Sequence, residues 1–283
     1  MNEFELIKND PHLSGICDDD ACIRQHLPQF LRVYDSRKLC KDCPGLFACR
    51  QKNKGQRLDL RYEGVLIEEV EYCRYASLVR SGKAVLEKYS YCDVPENLAD
   101  IDLESITYTP QQKQLYLQLA ALLYEKSDKG LYICGDLGTG KTYLCTALAN
   151  SLVKRGKRVA FVKVSNFFNE MKSFFGSDTD MIDRNINKLK KADYLFLDDI
   201  GSEAVSEFVR DDILFRVLDY RLENKKITLF TSNLSKEELL KHYQYDRKEK
   251  SNLMNARRLM ERIDILTNDY VLTGNNMRRE TKC

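Results

Sequence analysis

Gly135-Asp136-Leu137-Gly138-Thr139-Gly140-Lys141-Thr142 satisfies G-x-x-x-x-G-K-[ST] at every specified position. The apolar run Leu131 to Cys134 precedes it, and a helical pattern from Lys141 to Lys154 follows, with Tyr143 directly behind the motif. Glycines there let the backbone wrap closely round an anion, with its N–H groups pointing inward at the positive end of a helix. In such a cradle Lys141 reaches the β- and γ-phosphates of a nucleotide, and the Thr142 hydroxyl is placed for Mg²⁺. A glycine-rich strand-to-helix turn without a ligand is the alternative, and the agreement of motif and context argues against it.

A second acidic element supports the same chemistry. Tyr194-Leu195-Phe196-Leu197 reads as a buried central strand ending in Asp198 and Asp199, at the carboxyl edge where ligands sit in open parallel sheets. Asp198 is expected to hold Mg²⁺ through water, and Asp199 to orient or activate an attacking water. Past the next strand, Ile227 to Phe230, the triplet Thr231-Ser232-Asn233 offers Asn233 to the γ-phosphate or the water. Arg257, Arg258 and Arg262 lie on one late helix, and Arg258 and Arg262, a turn apart, share a face. That face is either a charge supply for phosphate or a solvated basic surface.

Cysteines raise a different possibility. Seven of the ten precede residue 100, and Cys40-x-x-Cys43 has the spacing of half a structural zinc site, with Cys49 and Cys73 as the nearest candidates for the other half. Four thiolates round one Zn²⁺ would be a closed, non-catalytic staple for a small module. A redox motif is disfavoured, because no βαβ pattern surrounds the pair. Cys17, Cys22 and Cys92 are read as ordinary buried thiols.

The elements that must position these groups follow from the pattern. In 283 residues, 43% hydrophobic and 31% charged, there is room for one large domain and a smaller module. With 45 Lys and Arg against 43 Asp and Glu, the charge of +2 gives no global argument for nucleic-acid binding. The N-terminus lacks a signal-peptide pattern and no long apolar run occurs, so a cytoplasmic protein without membrane attachment is expected. Residues 1–95 are assigned to the Cys-bearing module, with helix between Cys17 and Tyr34 and short strands or turns beyond, and 96–108 to an acidic linker. In 109–283, strands and helices alternate from the Thr109-Pro110 helix start to a last strand at Tyr270 to Leu272. That alternation predicts an α/β fold, a parallel sheet with helices on both faces.

Taken together, GDLGTGKTYL, LFLDDIGSE, TSN, ARRLMERI, the tail LTGNNMRR and the cluster CKDCPGLFAC resemble the bacterial replicative-helicase loaders of the DnaI/DnaC type, relatives of the transposition helper ATPases. The resemblance covers nearly the whole chain. It implies an AAA+ ATPase domain behind a zinc-binding, helicase-interacting adaptor, with ATP, Mg²⁺ and Zn²⁺ as cofactors. Partners would be the hexameric replicative helicase, single-stranded DNA and further copies of the chain. By motif position, Lys141 and Thr142 resemble the phosphate and Mg²⁺ contacts, Asp198 and Asp199 the acidic pair, Asn233 the first sensor, Arg258 the second sensor, and Arg262 the arginine finger into a neighbouring subunit. The family's zinc set includes a His before its last Cys, whereas this chain has none between His26 and His242; Cys49 is expected instead, with Cys73 distal. Lys163, Phe167, Phe168, Lys172 and Phe175 are candidates for the DNA strand. The rivals are a transposition helper ATPase and a nucleotide-switched adaptor without turnover.

Overall fold

The structure, a computed structural model, describes residues 2–17, 19–174, 178–245 and 252–277. Phe175, Arg278, Arg279 and Cys283 lie outside the described residues. The chain divides into two compact units, Met1–Ser81 and Gly82–Cys283.

In the first unit, α1 (Glu3–Lys8), α2 (Asp20–Gln25) and α3 (Leu27–Lys38) precede an antiparallel hairpin of β1 (Gln56–Tyr62) and β2 (Leu66–Tyr72). Asn2 and Asp19 cap α1 and α2 by accepting from backbone N–H groups. Ile7, Leu13, Ile23, Phe30 and Val33 meet Leu60 and Leu66 of the hairpin in one small core. Ala84 to Leu86, read as part of a short-strand region, instead ends the helix α4 (Arg74–Leu86), within which the division falls. Cys17 and Cys22 are joined as a disulfide rather than free.

The zinc expectation is corrected. Cys40, Cys43, Cys49 and Cys73 line a cavity of about 440 Å³. Among the described residues, however, no group of three or more His, Cys, Asp or Glu is arranged to hold a metal ion. Three of the sulfurs are engaged by the protein itself: Gln51 Nε2 donates to Cys40 Sγ at 3.3 Å, the Gly55 N–H donates to Cys49 Sγ at 3.4 Å, and Cys43 Sγ donates to the Gly45 carbonyl at 3.6 Å. Neither a zinc-binding adaptor domain nor Zn²⁺ as a cofactor is therefore supported.

The second unit is an α/β sandwich round a six-stranded parallel sheet in the order β3-β5-β6-β7-β4-β8. Its elements are β3 (Tyr91–Cys92), α5 (Lys113–Leu123), β4 (Gly130–Cys134), α6 (Lys141–Lys154), β5 (Val159–Lys163), α7 (Val164–Ser173), α8 (Thr179–Lys191), β6 (Tyr194–Asp198), α9 (Arg216–Glu223), β7 (Ile227–Ser232), α10 (Lys236–Gln244), α11 (Leu253–Leu266) and β8 (Thr267–Val271). A π-helical stretch, Phe208–Phe215, runs directly into α9.

Alternation along each strand sends side chains to opposite faces. Leu131, Ile133, Phe161, Phe196 and Leu229 pack with α5 and α6, whereas Tyr132, Val162, Leu195, Leu197 and Phe230 pack with α7 to α11. Residues 96–108, expected as a linker, contribute buried Ala99 and Leu103, and Tyr91 and Cys92 pair with Ala160 and Phe161 of β5. No helix among the described residues is long and apolar enough to cross a membrane.

At the amino edge of the sheet, Arg221 of α9 is fully buried. Its guanidinium donates to the carbonyls of Leu189 and Ala192 and to Thr228 Oγ1, each at 2.8 Å, fastening the end of α8 to the start of β7. Burial pushes this group down to about 9, with the charge of Asp193 opposing, so it is still a cation at neutral pH. Beside it, Asp193 takes ion pairs from Arg158 at 2.8 Å and Lys226 at 3.6 Å.

Candidate nucleotide site

Strand order brings the site together. β7 lies between β4 and β6, so the loop after β4, the acids after β6 and the polar triplet after β7 meet at the carboxyl edge. Gly135, Gly138 and Gly140 all have positive φ, at 147°, 83° and 95°. A Cβ at Gly135 would run into the Leu272 carbonyl, and one at Gly138 into the Asn276 amide, so neither conformation nor space admits a side chain there. Gly140 is the N-cap of α6 and supplies no side-chain cap, which leaves the first N–H groups of that helix available to an anion. Asp136 and Leu137 are exposed at the loop tip, Thr139 is buried with its hydroxyl donating to the Asp136 carbonyl at 3.0 Å, and Tyr143 packs against the core.

Lys141 Nζ donates to the carbonyls of Gly135 and Asp136, at 2.6 and 2.8 Å, and to Asn233 Oδ1 at 2.9 Å. Burial lowers its pKa, and the nearby Asp199, Asp136 and Asp198 oppose that shift. Thr142 Oγ1 donates to Asp198 Oδ1 at 2.9 Å, and Thr231 Oγ1 donates to the same oxygen at 2.7 Å. Burial pushes the Asp198 carboxyl up; those two hydroxyls oppose the shift and the charge of Asp199 adds to it. Asp199 takes a left-handed backbone, with φ at 60°, its N–H donating to Thr231 Oγ1 at 2.9 Å. Its Oδ1 accepts from Asn233 Nδ2 at 3.1 Å. Lys141, Thr142, Asp198, Asp199 and Asn233 thus form one hydrogen-bonded cluster. A glycine cradle, an ammonium at its mouth and a hydroxyl beside a buried carboxylate fit a nucleotide triphosphate with Mg²⁺.

Arg258 and Arg262 sit elsewhere. Both guanidiniums lie over the Phe215 ring, at 4.6 and 4.8 Å from its centre, and Arg262 pairs with Asp219 at 3.1 Å and Glu261 at 2.8 Å. Neither touches the loop 135–142 through a hydrogen bond or ion pair among the described residues. Phe167 and Phe168 are buried in the core and cannot stack on a strand, while Lys163 is exposed.

Sequence reasoning passed over several supports. Thr231 bridges both aspartates and was visible only as part of the triplet. Gln112 Nε2 donates to the Thr139 carbonyl at 2.9 Å, and the Met277 N–H donates to the Gly138 carbonyl at 3.0 Å, so the loop is braced from two distant segments. No spacing rule signals either brace.

The profile of the IstB-like ATP binding proteins matches residues 68–283. The replicative helicase loader DnaI of Bacillus subtilis (strain 168) is 37% identical over 267 residues, covering 92% of this chain and 85% of that protein. A crystal structure of DnaI aligns with a TM-score of 0.57 at 31% identity, over 66% of this chain and 98% of that one. A putative primosome component from Streptococcus pyogenes serotype M3 aligns with a TM-score of 0.55 at 28% identity, over 69% and 98%. Similarity on this scale means that the chain belongs to the DnaI/DnaC family of replicative-helicase loaders and is an AAA+ ATPase.

Proposed function

We propose that this ATPase loads a hexameric replicative helicase onto single-stranded DNA during primosome assembly. What supports this reading over a transposition helper is the extent of the similarity. The match to the Bacillus subtilis loader takes in 92% of the chain and so reaches deep into the first unit, whereas the IstB-like profile begins at residue 68.

In this reading the N–H groups of Gly135 to Gly140 and the start of α6 bind the phosphates, and Tyr143 backs the loop. Lys141 neutralises the β- and γ-phosphate charge, and Thr142 with Asp198 would hold Mg²⁺, which when bound adds charge neutralisation at the phosphates. Asp199 orients the water that attacks the γ-phosphate, and Asn233, already bonded to both Lys141 and Asp199, registers whether that phosphate is present. To serve as the second sensor, Arg258 has to leave the Phe215 ring and turn to the phosphates. Arg262 acts on a neighbouring copy, exchanging its pairs with Asp219 and Glu261 for phosphate when subunits assemble. Energy from hydrolysis resets the assembly, and the adaptor role falls to the first unit.

The test uses the full chain with the replicative helicase of its own cell, ATP, Mg²⁺ and circular single-stranded DNA. Helicase is expected to co-purify with the chain and to transfer to the DNA only with the wild-type protein and ATP. Loss of transfer with Lys141→Ala, together with loss of phosphate release, fits the reading. Failure of the two proteins to associate, or transfer that ignores ATP, overturns it; phosphate release absent even from wild type would instead favour a nucleotide-switched adaptor.

A further inference from the structure

The acidic motif LFLDDIGSE continues past the two aspartates, and its last residue has no part in the chemistry described so far. Glu203 is 5% exposed, a carboxylate inside the protein. One of its oxygens, Oε2, accepts from the Gly201 N–H at 2.8 Å; the other, Oε1, accepts from the hydroxyl of Tyr243, which is 0% exposed on α10. Burial and the adjacent carboxylate raise the Tyr243 phenol well above its ordinary range, so it stays a donor.

These contacts bear on the turn that carries Asp199. Asp199 and Gly201 both take left-handed backbone, at φ 60° and 92°, a conformation that Asp reaches more readily than most residues but that still costs some free energy outside glycine. The Ile200 N–H bonds the Thr231 carbonyl at 2.9 Å, Ser202 Oγ donates to the Asp199 carbonyl at 2.7 Å, and Glu203 takes the one N–H between them. A Cβ on Gly201 would meet first Leu234, just ahead of α10, and then Leu239 of α10 at 3.0 Å, so the helix that supplies Tyr243 also lies against the turn.

From Tyr243 the bonding runs on. Its backbone carbonyl accepts from Arg210 Nη1 at 3.1 Å; Arg210, 2% exposed, pairs with Asp211 at 2.7 Å; and Asp211 accepts from Asn255 Nδ2 at 3.0 Å, at the start of the helix α11 that bears Arg258 and Arg262. A buried charge is a poor way to gain stability when apolar packing would serve as well. A fixed turn connected to the arginine-bearing helix is a use that apolar packing cannot supply.

We infer that Glu203, held by Tyr243, is a positioning residue that fixes the Asp199 carboxylate for its work on water and ties that carboxylate to α10 and α11. The inference rests on the role given to Asp199 above. Glu203 itself does not touch substrate.

The experiment compares full-length wild type with Glu203→Ala, Glu203→Gln, Tyr243→Phe and Asp199→Asn, reading kcat, KM and the Kd of a fluorescent ATP analogue. Loss of position without loss of binding puts the change in kcat. Glu203→Ala is expected to lower kcat by about tenfold or more, with Kd unchanged. Glu203→Gln, whose amide can accept from Gly201 and donate to Tyr243, is expected to recover most of that loss, which deletion of packing alone would not predict. If Glu203→Ala does not fold, Tyr243→Phe decides, since it removes one hydroxyl and should lower kcat about threefold at unchanged Kd. A Glu203→Ala or Tyr243→Phe protein with wild-type kcat, beside an Asp199→Asn protein that has lost turnover, overturns this inference alone. Wild-type turnover in Asp199→Asn overturns the role of Asp199 and this inference with it.

Discussion

The two edges of the central sheet both bury charge, and they do so to opposite ends. At the amino edge Arg221 gives its N–H groups to fixed carbonyls and a threonine, joining α8 to β7. At the carboxyl edge Lys141 and Asp198 are also buried, and burial moves them away from their charged forms as it does Arg221, but their bonds converge on the segments that follow β4, β6 and β7. Perturbed groups that converge on a phosphate cradle mark a functional site; a satisfied cation between secondary elements is construction. The same sheet thus separates holding the fold from acting on a ligand.

Substitutions should therefore dissociate turnover from stability. Lys141→Ala is expected to reduce ATP turnover by about 10²–10³-fold, while a urea midpoint, followed by circular dichroism, moves by the equivalent of about 1 kcal/mol or less. A collapse of stability in that variant would break the contrast. Arg221→Met keeps the stem but strands several carbonyls, and should destabilise by about 3–4 kcal/mol in the same titration; folded protein at low urea should keep wild-type nucleotide affinity. Gly135→Ala should weaken nucleotide affinity by about tenfold in a fluorescence titration, because the loop must shift away from the Leu272 carbonyl.

Asp193 supplies the smallest effect, and one that depends on pH. Burial pushes its carboxyl up, but hydrogen bonds from Arg158 and the charges of Arg158 and Lys226 outweigh this and hold it below the usual range. A lowered folded value means that the contribution is complete above the unfolded pKa of about 3.9 and disappears as pH falls through the folded one. For a carboxylate this exposed, solvent screening keeps the contribution under about 1 kcal/mol. Wild type and Asp193→Asn should differ slightly in unfolding free energy at neutral pH and converge in acid; a difference that persists at low pH would contradict the ion-pair account.

Legibility followed how local each determinant is. Gly135 to Thr142 carry their geometry in consecutive residues, and Tyr194 to Asp199 announce a buried strand with acids at its end, so these two segments could be read before any fold was known. Strand alternation likewise gave the parallel sheet with helices on both faces. What escaped depends on partners far along the chain: the bond between Glu203 and Tyr243, the brace from Gln112, the burial of Ala99 and Leu103 in a stretch that looks like an acidic connection. Cysteine spacing misled for the same reason. Cys40 and Cys43 are near in sequence, but a metal site needs further ligands brought round one point, and Gln51, Gly55 and Gly45 engage the sulfurs instead. Phe167 and Phe168 are consecutive, and nothing in their order along the chain signals that both are buried from α7.

The phosphate loop leans on chain that follows it at a great distance. Leu272 donates its N–H to the Cys134 carbonyl at 2.7 Å, and Met277 reaches the Gly138 carbonyl. During synthesis the loop leaves the ribosome long before β8 and the segment behind it exist, and domains fold as their parts emerge. A nascent chain thus has the whole glycine motif in hand while this wall is missing, and the loop gains its full set of braces only after the segment from Leu272 to Met277 has emerged.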